Sequence, residues 1–155
     1  MFSSQSLHAV VRPGEIAVSE QRLGAAVRLL AVRGTLDAAT AGELARRIDG
    51  APGGVRWLIV DLAAAVAVAD EALERLVEAG RGLRRRAAEL IVTGGPGDTA
   101  ARLAAFDVAH RPAQVASVDE AVMLLKRLPW EPEGRDARAG QGVVALTLPR
   151  IDPAP

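Results

Sequence analysis

The chain has 155 residues, 19 acidic and 19 basic side chains, no Cys, no Tyr, two His and a half-apolar composition, which describes one domain around a single core. Without Cys there is no disulfide framework, thiolate nucleophile or zinc ribbon, and zero net charge lacks the cation surplus with which a nucleic-acid binder neutralises phosphates. Lys126 is the only lysine and lies in a C-terminal helical pattern, so Schiff-base, P-loop and receiver-type lysine chemistry have no residue to use.

Residues 1–13 are polar, lack periodicity and end in Pro, which reads as a flexible leader without the basic-then-apolar pattern of an export signal. Strands are expected over 15–20 and 26–33, joined as a hairpin by a turn at 22–24, with Gly34 ending the second. A helix then starts near Ala38, with Ala41, Leu44, Ala45 and Ile48 on one apolar face. Ala51-Pro52-Gly53-Gly54 breaks it. Trp57-Leu58-Ile59-Val60 is a continuous apolar run, the mark of a strand covered on both faces, and an Ala/Val loop follows Asp61.

The next helix is predicted over 71–86, with Leu73, Leu76, Val77, Gly80 and Leu83 inward and the pairs Glu71/Arg75 and Glu78/Arg81 on its exposed side. Leu90-Ile91-Val92-Thr93 is a second central strand, and Gly94-Gly95-Pro96-Gly97 turns into a short helix capped by Asp98 with Leu103 and Phe106 inward. After a short strand at 114–116, Ser117-Val118-Asp119-Glu120 has the form of a capping box, and Ala121, Leu124, Leu125 and Leu128 line one face of the last helix. Residues 129–155 are rich in Pro, Gly, Arg and Asp and read as a mostly disordered tail, apart from an apolar patch at 143–148 suited to an edge strand or a partner contact. The folded domain is thus expected over 14–128. Its alternation implies helices packed on a mostly parallel sheet of four to five strands, opened by a hairpin and carrying about four helices, with function in the loops at the carboxyl ends of the strands.

Few side chains invite chemistry. His8 and His110 are far apart and without ligand spacing, no serine neighbours a histidine, and no carboxylates converge on a cleft, so neither a metal, a cofactor nor catalysis is expected. The turn at 94–99 could cradle a phosphate on backbone N–H groups, but it has no Gly-Lys-Ser/Thr and Pro96 removes a donor. Arg81, Arg84, Arg85 and Arg86 fit a solvated helix C-terminus, where cations are favoured, or an acidic patch on a protein partner. Asp61, at the end of the central run, either anchors the following loop or faces an open crevice.

The element order, the run Gly34-Thr35-Leu36-Asp37 with Thr40-Ala41 and Leu44, then Leu58-Ile59-Val60-Asp61-Leu62, and finally Ser117-Val118-Asp119-Glu120-Ala121 together resemble a STAS domain, the module of bacterial anti-sigma factor antagonists, over about residues 15–128. The resemblance implies a STAS-like α/β fold and partner switching: the domain binds a kinase-type anti-sigma factor and is released when that kinase phosphorylates a serine at the start of the helix after the third strand. A phosphoserine there adds about −1.5 to −2 charge to a tightly packed surface. Where such proteins show Asp-Ser-Ser-Gly-Leu, this chain has Ala69-Asp70-Glu71-Ala72-Leu73, so Glu71 occupies the phosphoacceptor position and no hydroxyl remains in the segment.

Two readings of the substitution stand. Asp70 and Glu71 complement the positive end of a helix dipole, with Asp a favoured N-cap; alternatively the switch is lost, and Glu71 either mimics phosphoserine with one charge or leaves a constitutive binder. Asp37 and Thr40 likewise fit the cap and first turn of the first helix, or the partner-facing loop where the family places them. The reading taken is a cytoplasmic, non-enzymatic interaction module in transcriptional regulation. In it Asp37, Thr40, Asp70, Glu71 and Leu73 form the surface for an anti-sigma factor or related protein kinase, with no nucleic acid and no membrane insertion. The alternative is a STAS accessory or scaffold subunit of a transporter or stress-signalling assembly.

Overall fold

Alternate residues of a strand point to opposite faces of a sheet, so a strand that is apolar at every position needs cover on both sides. In the structure, a computed structural model that describes residues 15–127, the two strands of that kind lie at the centre of one five-stranded sheet. Leu58 and Val60 of β3 (Trp57–Val68) and Leu90 and Val92 of β4 (Glu89–Thr93) face a large core under two helices, α1 (Ala38–Asp49) and α2 (Asp70–Arg85). Trp57, Ile59 and Ile91 face a smaller cluster that includes Ala121 and Leu125 of α4 (Val118–Arg127). The strand order is β1-β2-β3-β4-β5, with β1 (Ile16–Arg22) antiparallel to β2 (Val27–Leu36) and all later pairs parallel, through β5 (Ala113–Val115). A fourth helix, α3 (Thr99–Ala104), turns Leu103 into the large core, with Phe106, just past its end, packed against it. The mixed α/β sheet opened by a hairpin and its four helices agree with the sequence-based expectation.

Three boundaries differ. Gly34 does not end β2; it sits inside the strand at φ +106, opposite Ile16 and Ala65, next to a register shift, a conformation that suits a residue without Cβ. The segment after Asp61 is not a loop but the second half of β3. Its pairing with β2 skips one extra β3 residue between Ala31/Arg33 and another between Gly34/Thr35, two bulges that change the inward spacing from two residues to three. Leu62, Ala65 and Val68 are therefore buried, while Ala63, Ala64, Val66 and Ala67 are exposed.

The third difference is at α2, which begins at Asp70 with Ala69 as N-cap and no side-chain cap bond, so Asp70 is not the cap residue. Its inward stripe of Leu73, Leu76, Val77, Gly80 and Leu83 is buried as expected. Neither Glu71/Arg75 nor Glu78/Arg81 is among the four ion pairs of the described residues. Only half of the capping box at α4 forms: the Glu120 amide donates to Ser117 Oγ at 3.2 Å, whereas the Glu120 carboxylate accepts from the amide of Ala116, not of Ser117. Asp98 stands at the start of α3 without a capping bond. The leader at 1–13, the tail at 129–155 with its patch at 143–148, His8 and Leu128 lie outside the described residues.

Arg84 is the cation of the arginine cluster with a structural role. Its guanidinium donates to the carbonyls of Ala109 and Arg111 at 2.9 and 2.8 Å and to Glu89 at 3.2 Å, pinning the segment between α3 and β5 to the end of α2. Arg81, Arg85 and Arg86 are exposed.

Candidate functional site

Right-handed β-α-β connections start each helix at the carboxyl edge of the parallel strands, where loops are free to meet a partner. At that edge β2 and β3 end side by side, Leu36 opposite Val68, and the Ala69 amide donates to the Leu36 carbonyl at 2.8 Å. This bond sets the first turn of α1 beside the first turn of α2, and so brings Asp37 and Thr40 near Asp70 and Glu71.

Asp37 and Thr40 form a reciprocal capping box at α1. One Asp37 carboxylate oxygen accepts from the amides of Ala39 and Thr40 at 3.0 and 2.9 Å, while Thr40 Oγ1 accepts from the Asp37 amide at 2.9 Å. The same hydroxyl donates back to the Thr35 carbonyl at 2.7 Å, closing the end of β2 onto the helix. Hydrogen bonds to an ionised carboxylate favour its charged form, and those from Thr40 hold the Asp37 carboxyl below its ordinary value of 3.8. The clearest helix-start device in the described chain is therefore this one rather than Ser117/Glu120. Thr40 is 6% exposed and fully engaged in it.

The first turn of α2 presents acids outward. Asp70 is exposed on 82% of its side chain, yet it is held: Arg102 of α3 donates to its Oδ1 at 2.8 and 3.2 Å and to the Val68 carbonyl at 2.7 Å. Asp98 approaches the same guanidinium at 3.5 Å, and these carboxylates, Asp70 foremost, raise the Arg102 pKa above its ordinary value. Glu71 is exposed and makes no ion pair among the described residues. Leu73, 1% exposed, belongs to the core beneath. Of the five residues singled out from sequence, the structure thus gathers all five at one edge. It turns Asp70 and Glu71 toward solvent, leaves Asp37 half-buried with its carboxylate capping α1, and buries Thr40 and Leu73 beneath them.

Two contributors had no sequence signal of their own. Arg102 is the tie between α3 and the β3–α2 junction, hinted at only by Asp98 four residues before it. The exposed apolar extension of β3, with Val66 71% exposed, runs directly into the acidic turn.

The other candidates resolve into structure. Asp61 Oδ1 accepts from Thr93 Oγ1 at 2.9 Å and from the Ala63 amide at 3.2 Å, locking β3 to β4 where their pairing stops at Asp61 and Thr93. In the glycine turn Gly94, Gly95 and Gly97 have φ of +69, +122 and +53, which accounts for the glycines by backbone conformation. The turn borders a cleft of about 710 Å³ lined mostly by small residues. Its polar members hold the backbone: Arg111 donates to the carbonyls of Ala104 and Phe106, and Gln114 to that of Ala100. His110 is exposed, and among the described residues no group of three or more His, Cys, Asp or Glu is arranged to hold a metal ion. No helix among them is long and apolar enough to cross a membrane.

No protein-family model matches the sequence, and no curated protein matches it significantly. Solved structures do match the fold. An anti-sigma factor antagonist from Mycobacterium paratuberculosis superposes with TM-score 0.59 at 19% identity, over 76% of this chain and 99% of its own. The unphosphorylated anti-sigma factor antagonist SpoIIAA gives 0.56 at 17% identity, over 72% and 98%. A SulP transporter STAS domain from Vibrio cholerae gives 0.50 at 13% identity, over 68% and 88%. The chain has the STAS fold, found alike in anti-sigma factor antagonists and in a transporter domain.

Proposed function

We propose that this chain is a non-catalytic interaction module of the anti-sigma factor antagonist type, acting in the cytoplasm in transcriptional regulation. It binds a kinase-type anti-sigma factor through the edge where α1 and α2 begin, without the serine phosphorylation switch. The observation that carries the reading is the first turn of α2. In a STAS fold this turn is held firmly by Arg102 yet leaves Glu71 outward, without an ion pair among the described residues, and the sequence resemblance aligns Glu71 with the family's phosphoacceptor. Preorganised, exposed and charged, such a turn suits recognition: it loses little conformational freedom on binding, and its charges select a partner by complementarity. One carboxylate carries about half the charge of a phosphoserine, so the surface keeps one electrostatic state.

Isothermal titration against a kinase-type anti-sigma factor from the same genome tests this. We predict a complex at tens of micromolar or tighter that Glu71→Arg weakens about tenfold or more; no complex with any such factor rejects the reading. A second reading is favoured by the match to the SulP STAS domain: an accessory subunit of a transporter. Co-purification of the chain with a membrane transporter, and not with an anti-sigma factor, would decide for it.

A further inference from the structure

The chain's charges cancel in total, but the topology sorts them in space. Three helices, α1, α2 and α4, follow parallel strands and start at the same edge of the sheet, so their last turns share the opposite end. Acids crowd the starting edge: Asp70 and Glu71 in the first turn of α2, Asp119 and Glu120 in that of α4, and Asp98 ahead of α3. Cations crowd the other end: Arg46 and Arg47 in the last turn of α1, Arg85 and Arg86 closing α2, and Lys126 and Arg127 closing α4. All six of these cations are exposed, and the ion pairs of the described residues at that end, Arg28–Glu20 and Arg84–Glu89, involve none of them.

Each residue taken alone is explained by its helix dipole. The sorting of all of them onto two ends has a further consequence. The 16 residues of α2 separate the ends by about 24 Å at 1.5 Å per residue. That distance is about three Debye lengths at physiological ionic strength, so neither end neutralises the other within one molecule. A neighbour meets each end as a separate surface with an excess of one sign, Asp49 standing among the cations at the end of α1 and Arg102 among the acids beside Asp70 and Asp98.

We propose that copies of this chain dock head to tail, the acidic edge of one on the arginine-rich end of the next. The occupant is a second copy because the complementary charge is present on the same molecule, at the same set of helix ends. Such a contact is heterologous: it leaves a free acidic edge and a free basic end, and so grows into short chains rather than closing as a two-fold dimer. Each contact also covers Glu71. The proposal does not depend on the anti-sigma reading; if both hold, self-association and partner binding compete for one edge.

Sedimentation velocity on the full chain tests it, with a concentration series at about 10 mM and about 1 M salt, where the Debye length is about 30 and 3 Å. The expected result is a sedimentation coefficient that rises with concentration at low salt and stays constant at high salt. Two charge reversals, Arg85→Glu with Arg86→Glu and Glu71→Arg with Asp119→Arg, each weaken the association about tenfold or more. Their equimolar mixture restores a complex, because the intact acidic edge of the first variant meets the intact basic end of the second. All four positions are exposed, and far-UV circular dichroism confirms folding first. A single sedimentation coefficient at every low-salt concentration overturns the proposal, as does association indifferent to salt, or a mixture that fails to associate. Association seen only after duplex DNA is added assigns the basic end to a polyanion and also overturns it. The Arg85/Arg86 variant leaves anti-sigma binding intact, so failure of one idea does not pass for failure of the other.

Discussion

Replacing Thr40 by Val removes one hydroxyl and keeps the side chain's shape. In the folded chain that hydroxyl accepts from the Asp37 amide at 2.9 Å and donates to the Thr35 carbonyl at 2.7 Å, at a residue only 6% exposed. Water has poor access to replace either bond. A hydrogen bond contributes about 0.5–1.5 kcal/mol net, and a buried group left without a partner costs about 1–3 kcal/mol. With two groups stranded but both near a helix end that can fray toward solvent, Thr40→Val is predicted to cost about 2–3 kcal/mol. Thr40→Ser keeps the hydroxyl and removes one methyl, for about 1 kcal/mol. Urea denaturation followed by circular dichroism measures both, and an unchanged m-value shows that the difference lies in stability. If the Thr40→Val variant proves as stable as the wild type, or Thr40→Ser falls as far as Thr40→Val, then the hydroxyl is not what joins β2 to α1.

Asp37→Asn keeps a good N-cap but removes the charge. The folded-state pKa of Asp37 is depressed, so its contribution is complete above the unfolded value and is lost as pH falls through the lower folded one. Stability of the wild type should therefore decline below about pH 4 more steeply than that of the Asn variant, read from urea midpoints across the acid range; parallel acid limbs would contradict the sign. Gly94→Ala places a Cβ 3.0 Å from the Ala63 amide at φ +69, and should cost at least about 1–2 kcal/mol. Gly53→Ala, with nothing within 4 Å, is its neutral control in the same melts. Arg84→Lys loses the planar fork that reaches Ala109, Arg111 and Glu89, and is predicted to cost about 1–2 kcal/mol and to raise amide exchange at the start of β5.

What sequence made legible follows from which forces are local. Trp57-Leu58-Ile59-Val60 and Leu90-Ile91-Val92 announce central strands because two covered faces demand unbroken apolar runs. The stripes of α1 and α2 are equally plain, since each faces one core. The second half of β3 was hidden, because its bulges depend on pairing with β2 and impose a three-residue burial period that resembles neither strand nor helix. Capping misled for a related reason. Ser117-Val118-Asp119-Glu120 has the familiar letters, while the full box at Asp37 and Thr40 has Thr at its third position. The proposed recognition edge was legible as single residues but not as a surface. Arg102 reaches Asp70 across 32 positions of chain, and the separation of acids from cations exists only once the helices lie alongside one another.

The most direct measurement is of the complex with a kinase-type anti-sigma factor in the presence of ATP, followed by size-exclusion chromatography with intact-mass spectrometry. The wild-type chain should stay bound and gain no phosphate, because residues 69–73 carry no hydroxyl. Glu71→Ser should gain one phosphate and release its partner. A wild-type complex that disperses on adding ATP, with phosphate on this chain, would contradict the account.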